Sequence, residues 1–284
     1  MKTKQFIVAL LIPIAIGTSC SSDDSVETTE TPTESTVRFV KNERVNDNFI
    51  ISYSYDANNR ITSADGMYPN VNFESNFSYD SNNRLTQDIY QELSPIIYDT
   101  TQSFSYDSNG LLTGYSSVTE NVSISYNGNT VLLSGTIEGD ANSQVELQLN
   151  SNGLVTKFTE NNQYTDLVYD SNGNLTSVKS YDNSNNLLEE FVIAYDDKIN
   201  PFYGQMTSIY IERFIEWFWE FDGIYFTGIE GYKFPFFKNN IVSISNGTNS
   251  MTTYTYTYDN QDYPITVIEN TNGNILEYSI EYFE

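Results

Sequence analysis

The chain has 284 residues, a formal charge of −25, no histidine and a single cysteine. Those counts exclude Ser-His and Cys-His nucleophile pairs, Cys/His zinc clusters and any intramolecular disulfide. The acidity argues against binding to nucleic acid or anionic lipid surfaces, both of which need basic patches. With 23 Tyr and 17 Phe, the composition leans toward strands.

Residues 1–19 read as a secretory signal: Lys2 and Lys4 precede a short apolar run, Phe6 to Ile16. That run is too short to span a bilayer as a stable helix, and Pro13 interrupts it. The sequence "GTSCSSDD" then places the only cysteine, Cys20. It resembles a bacterial lipoprotein signal, in which the cysteine becomes the lipidated first residue; Gly17 stands where that pattern prefers Leu. The Ser-Ser-Asp-Asp after it is similar to the start of Bacteroidetes surface lipoproteins. The resemblance implies a lipid anchor in the outer membrane and exposure on the cell surface, with a periplasm-facing domain as the alternative. A plain secreted protein is the competing reading. Cleavage would remove two lysines and no acids, taking the charge from −25 to −27. Residues 20–36 are rich in Ser, Thr and acids and poor in apolar residues, so they predict a disordered tether. Its r.m.s. reach would be roughly 20–25 Å.

From residue 37 a single β domain is expected to run to residue 284. Near copies of one stretch recur: "YDANNRIT" from Tyr55, "YDSNNRLT" from Tyr79, "YDSNGLLT" from Tyr106 and "YDSNGNLT" from Tyr169. "LNSNGLVT" from Leu149 fits with two replacements, and looser rungs start at Tyr126, Tyr181, Tyr195, Tyr258 and Glu269. Before each clear turn apolar and polar residues alternate, as in Phe77-Ser78-Tyr79, which predicts a strand. After the turn, alternation would put Leu85, Gln87 and Ile89 on one face. The loop proper is then Ser81-Asn82-Asn83, a three-residue hairpin loop ending in a left-handed residue. That slot falls on Asn59, Asn83, Gly110, Gly153 and Gly173, residue types that tolerate it. Asp56, Asp80, Asp107 and Asp170 are placed to accept a backbone hydrogen bond two residues on. A calcium loop would need several close carboxylates and a distal bidentate Glu, whereas each turn offers one Asp. No metal or other cofactor is expected.

The ladder breaks at about residues 201–240. "SIYIERFIEWFWEFDG", Ser208 to Gly223, carries Glu212, Glu216 and Glu220 every four residues, which predicts a short helix with Ser208 as N-cap and Gly223 as its end. Alternation of Ile215, Trp217, Trp219 and Phe221 with their neighbours leaves a strand open. Two roles compete. The segment is either a plug packed against the sheet, or a ligand platform in which Trp217 and Trp219 stack on a ligand and Glu216 and Glu220 hydrogen-bond it. Strands are expected to resume at 241–245, 252–259, 263–269 and 275–283.

The Tyr-Asp-x-Asn-Gly-x-Leu-Thr rungs resemble YD/RHS repeats, whose hairpins wind into curved shells. "YDDKINPF" (Tyr195 to Phe202), "KNN" (Lys238 to Asn240) and "YTYTYDNQDYP" (Tyr254 to Pro264) are similar to Bacteroidetes lipoproteins with a porin-like β-fold. The resemblance implies an all-β chain of consecutive antiparallel hairpins in a strongly curved, barrel-like sheet. It supplies no catalytic or binding residues. A true pore is disfavoured: the units allow strands of about seven to nine residues, and the second face is Ser, Thr, Asn and Gln. The expected function is binding of an extracellular glycan, peptide or protein partner, without catalysis. The alternatives are a structural envelope component and a glycan hydrolase working through paired carboxylates such as Glu216 and Glu220.

Overall fold

The computed structural model describes residues 37–45, 49–68, 71–94, 97–218, 231–247 and 250–284. The signal (1–19), Cys20 and the tether (20–36) lie outside them, as do Trp219, Glu220 and Gly223 and the side chain of Trp217. The strands are β1 (Val40–Val45), β2 (Phe49–Tyr55), β3 (Ile61–Met67), β4 (Asn72–Tyr79), β5 (Leu85–Ser94), β6 (Tyr98–Tyr106), β7 (Leu112–Ser116), β8 (Asn121–Asn127) and β9 (Thr130–Ile137). They continue as β10 (Asp140–Leu149), β11 (Val155–Glu160), β12 (Gln163–Tyr169), β13 (Leu175–Tyr181), β14 (Leu187–Ile199), β15 (Asn239–Asn246), β16 (Ser250–Tyr258), β17 (Pro264–Thr271) and β18 (Asn274–Tyr282). Among the described residues one α-helix, α1 (Tyr210–Phe218), interrupts them. The 18 strands form one sheet in which each pairs antiparallel with the next. Pairing of β1 with β18, Val45 opposite Tyr278, closes it into a barrel.

The repeated stretch builds the turns at one end of this barrel. Asp80 Oδ1 accepts the backbone N–H of Asn82 and of Arg84, at 2.8 and 3.0 Å. Asp56, Asp107 and Asp170 accept from the same two positions of their own turns. Asn59, Asn83, Gly110, Gly153 and Gly173 all have φ between 63° and 90°. The looser rungs divide. Those at Tyr181 and Tyr258 keep the full turn, through Asp182 and Asp259, although the Tyr181 turn joins β13 to β14 at the other end of the barrel. Tyr126 opens a hairpin in which Asn127 pairs directly with Thr130. Tyr195 leads into the excursion that carries α1.

The strand after each turn departs from simple alternation. Tyr79 pairs with Leu85, but Ser78 pairs with Gln87, so Thr86 is an extra residue in a β-bulge. The bulge turns Asp88 and Tyr90 inward, opposite Phe77 and Ser75, and sends Gln87 and Ile89 outward. The expectation that Leu85, Gln87 and Ile89 share a face is therefore wrong. The same shift comes after Ile61, Leu112, Val155, Leu175, Leu187 and Pro264. It accounts for the Thr of the repeat: Thr86, Thr156 and Thr176 donate across the bulge to the carbonyls of Ser78, Gln148 and Val168, at 3.0 to 3.1 Å.

At six of these seven bulges a tyrosine hydroxyl supplies a donor to the carbonyl that the bulge takes off the ladder. Tyr79, Tyr106, Tyr126 and Tyr169 donate to the carbonyls of Ile61, Leu85, Leu112 and Val155, at 2.6 to 3.0 Å. Tyr195 and Tyr282 do the same for Leu175 and Pro264. These bonds run from one hairpin to the one before it and stitch the rim together. Where the rung carries Arg, its guanidinium returns to the turn Asp and stacks on the next tyrosine: Arg60 lies 4.4 Å from the Tyr79 ring centroid, and Arg84 lies 4.6 Å from that of Tyr106.

The inward faces are apolar, with Ile51, Ile61, Leu85, Leu133, Leu147 and Leu175 fully buried. Ser54, Ser78, Ser103, Ser123, Ser125 and Glu146 face out. Cross-strand ion pairs Lys157–Asp166 and Lys179–Glu190 lie on the partly exposed surface. The strands run from 5 to 13 residues, a wider range than the repeat spacing suggests.

Candidate functional site

The excursion enters the barrel at the repeat-turn end, and the bulges hold it. The N–H of Ile61 donates to Gln205 Oε1, that of Leu85 to Ser208 Oγ and that of Val155 to the Tyr210 hydroxyl, at 3.0 to 3.3 Å. Ser208 is thus a receptor for the wall and does not N-cap the helix, as the sequence suggested; the residue preceding the helical turns is Met206, whose side chain makes no cap bond. The stretches Tyr195 to Phe202, Lys238 to Asn240 and Tyr254 to Pro264 meet at this point. Asn200 N–H donates to the Lys238 carbonyl, closing the base of the excursion. Asn240 and the Tyr258 hydroxyl both donate to Asp196, and Asn174 donates to Asn239.

Helix α1 is helix rather than strand and is buried on all sides for most of its length. Ile211, Glu212, Arg213, Phe214 and Ile215 are all buried. Burying a charge needs partners, and Arg213 has three carboxylates. Its guanidinium lies 2.5 Å from Glu216, 3.3 Å from Asp88 on β5 and 3.8 Å from Glu212. One oxygen of Asp88 and one of Glu212 still lack any hydrogen-bond partner. Burial pushes the Glu212 carboxyl up to about 8; Arg213 offsets this, and Glu216 adds to it. Burial likewise raises the Asp88 carboxyl, against the pull of Arg213.

A cavity of about 320 Å³ lies between this half of α1 and the wall formed by β4 to β9. Asp88, Glu120, Glu138, Glu212 and Glu216 reach it, against only two cations, Arg213 and Lys233. Tyr90 and Tyr98 supply a pair of aromatic faces with ring centroids 6.4 Å apart. Gln102 bridges the floor by donating to Glu120 at 3.2 Å, and burial raises the Glu120 carboxyl. The arrangement offers acceptors and aromatic surface and few free donors, so it suits a ligand that brings donors of its own.

Of the expected platform, Glu216 lines this cavity, while Trp219, Glu220 and the Trp217 side chain lie outside the described residues. The turn residues Asp56, Asn59, Asp80, Asn83, Asp107, Gly110, Gly153, Asp170 and Gly173 stand at the opposite rim from the β7–β8 turn that carries Glu120, and they build turns. Asp80 engages both carboxylate oxygens within its own turn, one with backbone N–H groups and one with Arg84. Asp88 and Arg213 went unnoticed in the sequence. Arg213 carried a signal: it is the only basic residue between Ser208 and Gly223, set in an apolar run between two glutamates. Asp88 carried none, because the bulge that turns it inward is not visible as a break in pattern.

No protein-family model and no curated protein matches the sequence. Among solved structures, the chain is similar to a porin-like protein from Bacteroides uniformis, at 11% identity and a TM-score of 0.37, covering 86% of this chain and 96% of that one. A porin-like protein from Bacteroides vulgatus gives 10% identity and a TM-score of 0.34, covering 87% and 99%. A Photorhabdus luminescens Tc holotoxin pore gives 12% identity and a TM-score of 0.30 over 82% of this chain and 14% of that one.

Proposed function

We propose that the mature chain is a lipid-anchored barrel of the cell envelope that works by binding, with its ligand taken into the cavity beside α1. The anchor reading is supported by the signal and by Cys20 at its end. The outward Ser and Glu side chains favour a barrel standing in water on its tether, because a lipid-facing wall needs a continuous apolar band. The cavity carries the binding reading. Asp88, Glu120, Glu138, Glu212 and Glu216 and the rings of Tyr90, Tyr98 and Tyr232 surround open space of about 320 Å³ there. Binding is preferred over hydrolysis because Glu216, one carboxyl group of the expected pair, is engaged by Arg213.

The test is a cavity-blocking variant. Thr100 lines the cavity from β6, and Thr100→Phe would fill it. The purified protein would be screened by thermal shift against a panel of oligosaccharides, amines and short peptides. The expected result is at least one hit that Thr100→Phe abolishes while the unliganded melting temperature stays within about 4 °C. Hits that survive the block would remove the cavity as the site.

A further inference from the structure

Among the described residues, five carboxyl groups and two cations line the cavity. Arg213 is committed to Asp88, Glu212 and Glu216, which leaves Lys233 as the other cation against Glu120 and Glu138. Glu212 is only 2% exposed, yet its Oε2 has no hydrogen-bond partner; Asp88 Oδ1 is in the same position. Beside these buried walls a carboxylate that does ionise acts with more force than on an open surface. A ligand that supplies positive charge and hydrogen-bond donors answers both features.

We propose that the cavity takes a small organic cation, a primary ammonium or guanidinium group on a compact body, and this rests on the reading of the cavity as a binding site. A bare metal ion fits less well. The guanidinium of Arg213 occupies the place where Asp88, Glu212 and Glu216 converge, and no three acidic side chains among the described residues are grouped to hold a metal. An organic cation also uses what a metal cannot. Tyr90 and Tyr98 present two ring faces inclined at 58°, and an ammonium within about 6 Å of such a face is attracted to it. Tyr98 is 46% exposed, which places it at the entrance. At about 320 Å³ the space is large enough for a small organic body and far larger than a bare ion needs.

The cation would also move a proton. Glu212 faces Arg213 and Glu216 from its own helix, Gln102 from β6, and Glu120 and Tyr115 from the β7–β8 side. With its carboxyl pushed up to about 8, Glu212 is mostly protonated at pH 7. A positive charge nearby favours the ionised form, so binding at pH 7 releases a proton, and affinity rises as the pH climbs toward 8.

Isothermal titration of the purified protein with spermidine, agmatine and glucosamine tests this, with glucose and calcium chloride as controls. Two buffers of different ionisation enthalpy would be used at pH 7. The expected result is one-to-one binding of at least one amine, weakened about tenfold by Glu120→Gln and abolished by Thr100→Phe. Proton release should appear in the native protein and vanish in Glu212→Gln. If glucose binds and Thr100→Phe blocks it while no amine does, the cation class is overturned and the cavity reading stands. If amines bind equally well to the blocked variant, they sit on the acidic exterior, and the inference fails. If no probe binds at all, the inference fails as well.

Discussion

Each tyrosine of the repeat does a job that phenylalanine cannot. Its ring packs inward, and its hydroxyl reaches a carbonyl that a bulge has removed from the ladder, as Tyr169 does for Val155 at 2.8 Å. Burial holds the Tyr169 hydroxyl well above its ordinary value, so it stays a donor at any working pH. In Tyr169→Phe the ring packing survives, and the Val155 carbonyl is left buried without that donor. The expected cost is about 1–3 kcal/mol, read as a lower urea midpoint at an unchanged m-value. Tyr164→Phe is the control: that ring stacks on Tyr181, and its hydroxyl bond to Asn185 is exposed, so the loss should stay below about 0.5 kcal/mol. Equal losses at the two sites would mean that the rim bonds do not matter.

At the scale of elements, the hairpins were legible because turn chemistry is local. An Asp that caps its own loop and an Asn or Gly with φ near 60° to 90° are fixed within five residues, so their identity shows in the string of letters. The bulge was not legible, because an extra residue in a strand changes nothing locally except the phase of the residues beyond it. Simple alternation along Leu85-Thr86-Gln87-Asp88 would pair Leu85 with Gln87 on one face, yet Leu85 and Asp88 are the two that face inward. The buried ion cluster went unseen for the same reason: only after the phase shift does Asp88 meet Arg213. Deleting Thr86 should remove the bulge without moving Asp88: with Leu85 opposite Tyr79 and Gln87 opposite Ser78, Asp88 still falls opposite Phe77. Asp88→Asn should cost about 3–5 kcal/mol, because it breaks a buried charge pair with Arg213. The same substitution in the Thr86-deleted background should cost as much, read from the urea midpoints. A much smaller loss there would mean that the deletion had turned Asp88 outward.

For the molecule as a whole, closure poses a problem that the excursion solves. A barrel of 18 strands is wide enough to leave a water-filled channel if only wall side chains fill it. Here much of the lumen is apolar, and the excursion fills that part with Phe202, Met206, Ile209, Phe214, Ile215 and Phe237, each no more than 5% exposed. The plug is thus core, and the cavity is the place where plug and wall do not meet. Since Asn200 and Lys238 are already hydrogen-bonded at 2.9 Å, residues 202–236 can be replaced by a short Gly-Ser link without pulling the wall apart. If the plug were only a ligand platform, the shortened barrel would melt near the native temperature. As core it cannot be spared, because each large buried side chain contributes about 1.5–3 kcal/mol. The shortened protein should keep its far-ultraviolet β signal, bind a hydrophobic dye through its opened lumen and melt more than about 10 °C lower. Adding the excised segment back as a peptide should restore part of that loss, because the bulge N–H groups of Ile61, Leu85 and Val155 would again have their acceptors in Gln205, Ser208 and Tyr210.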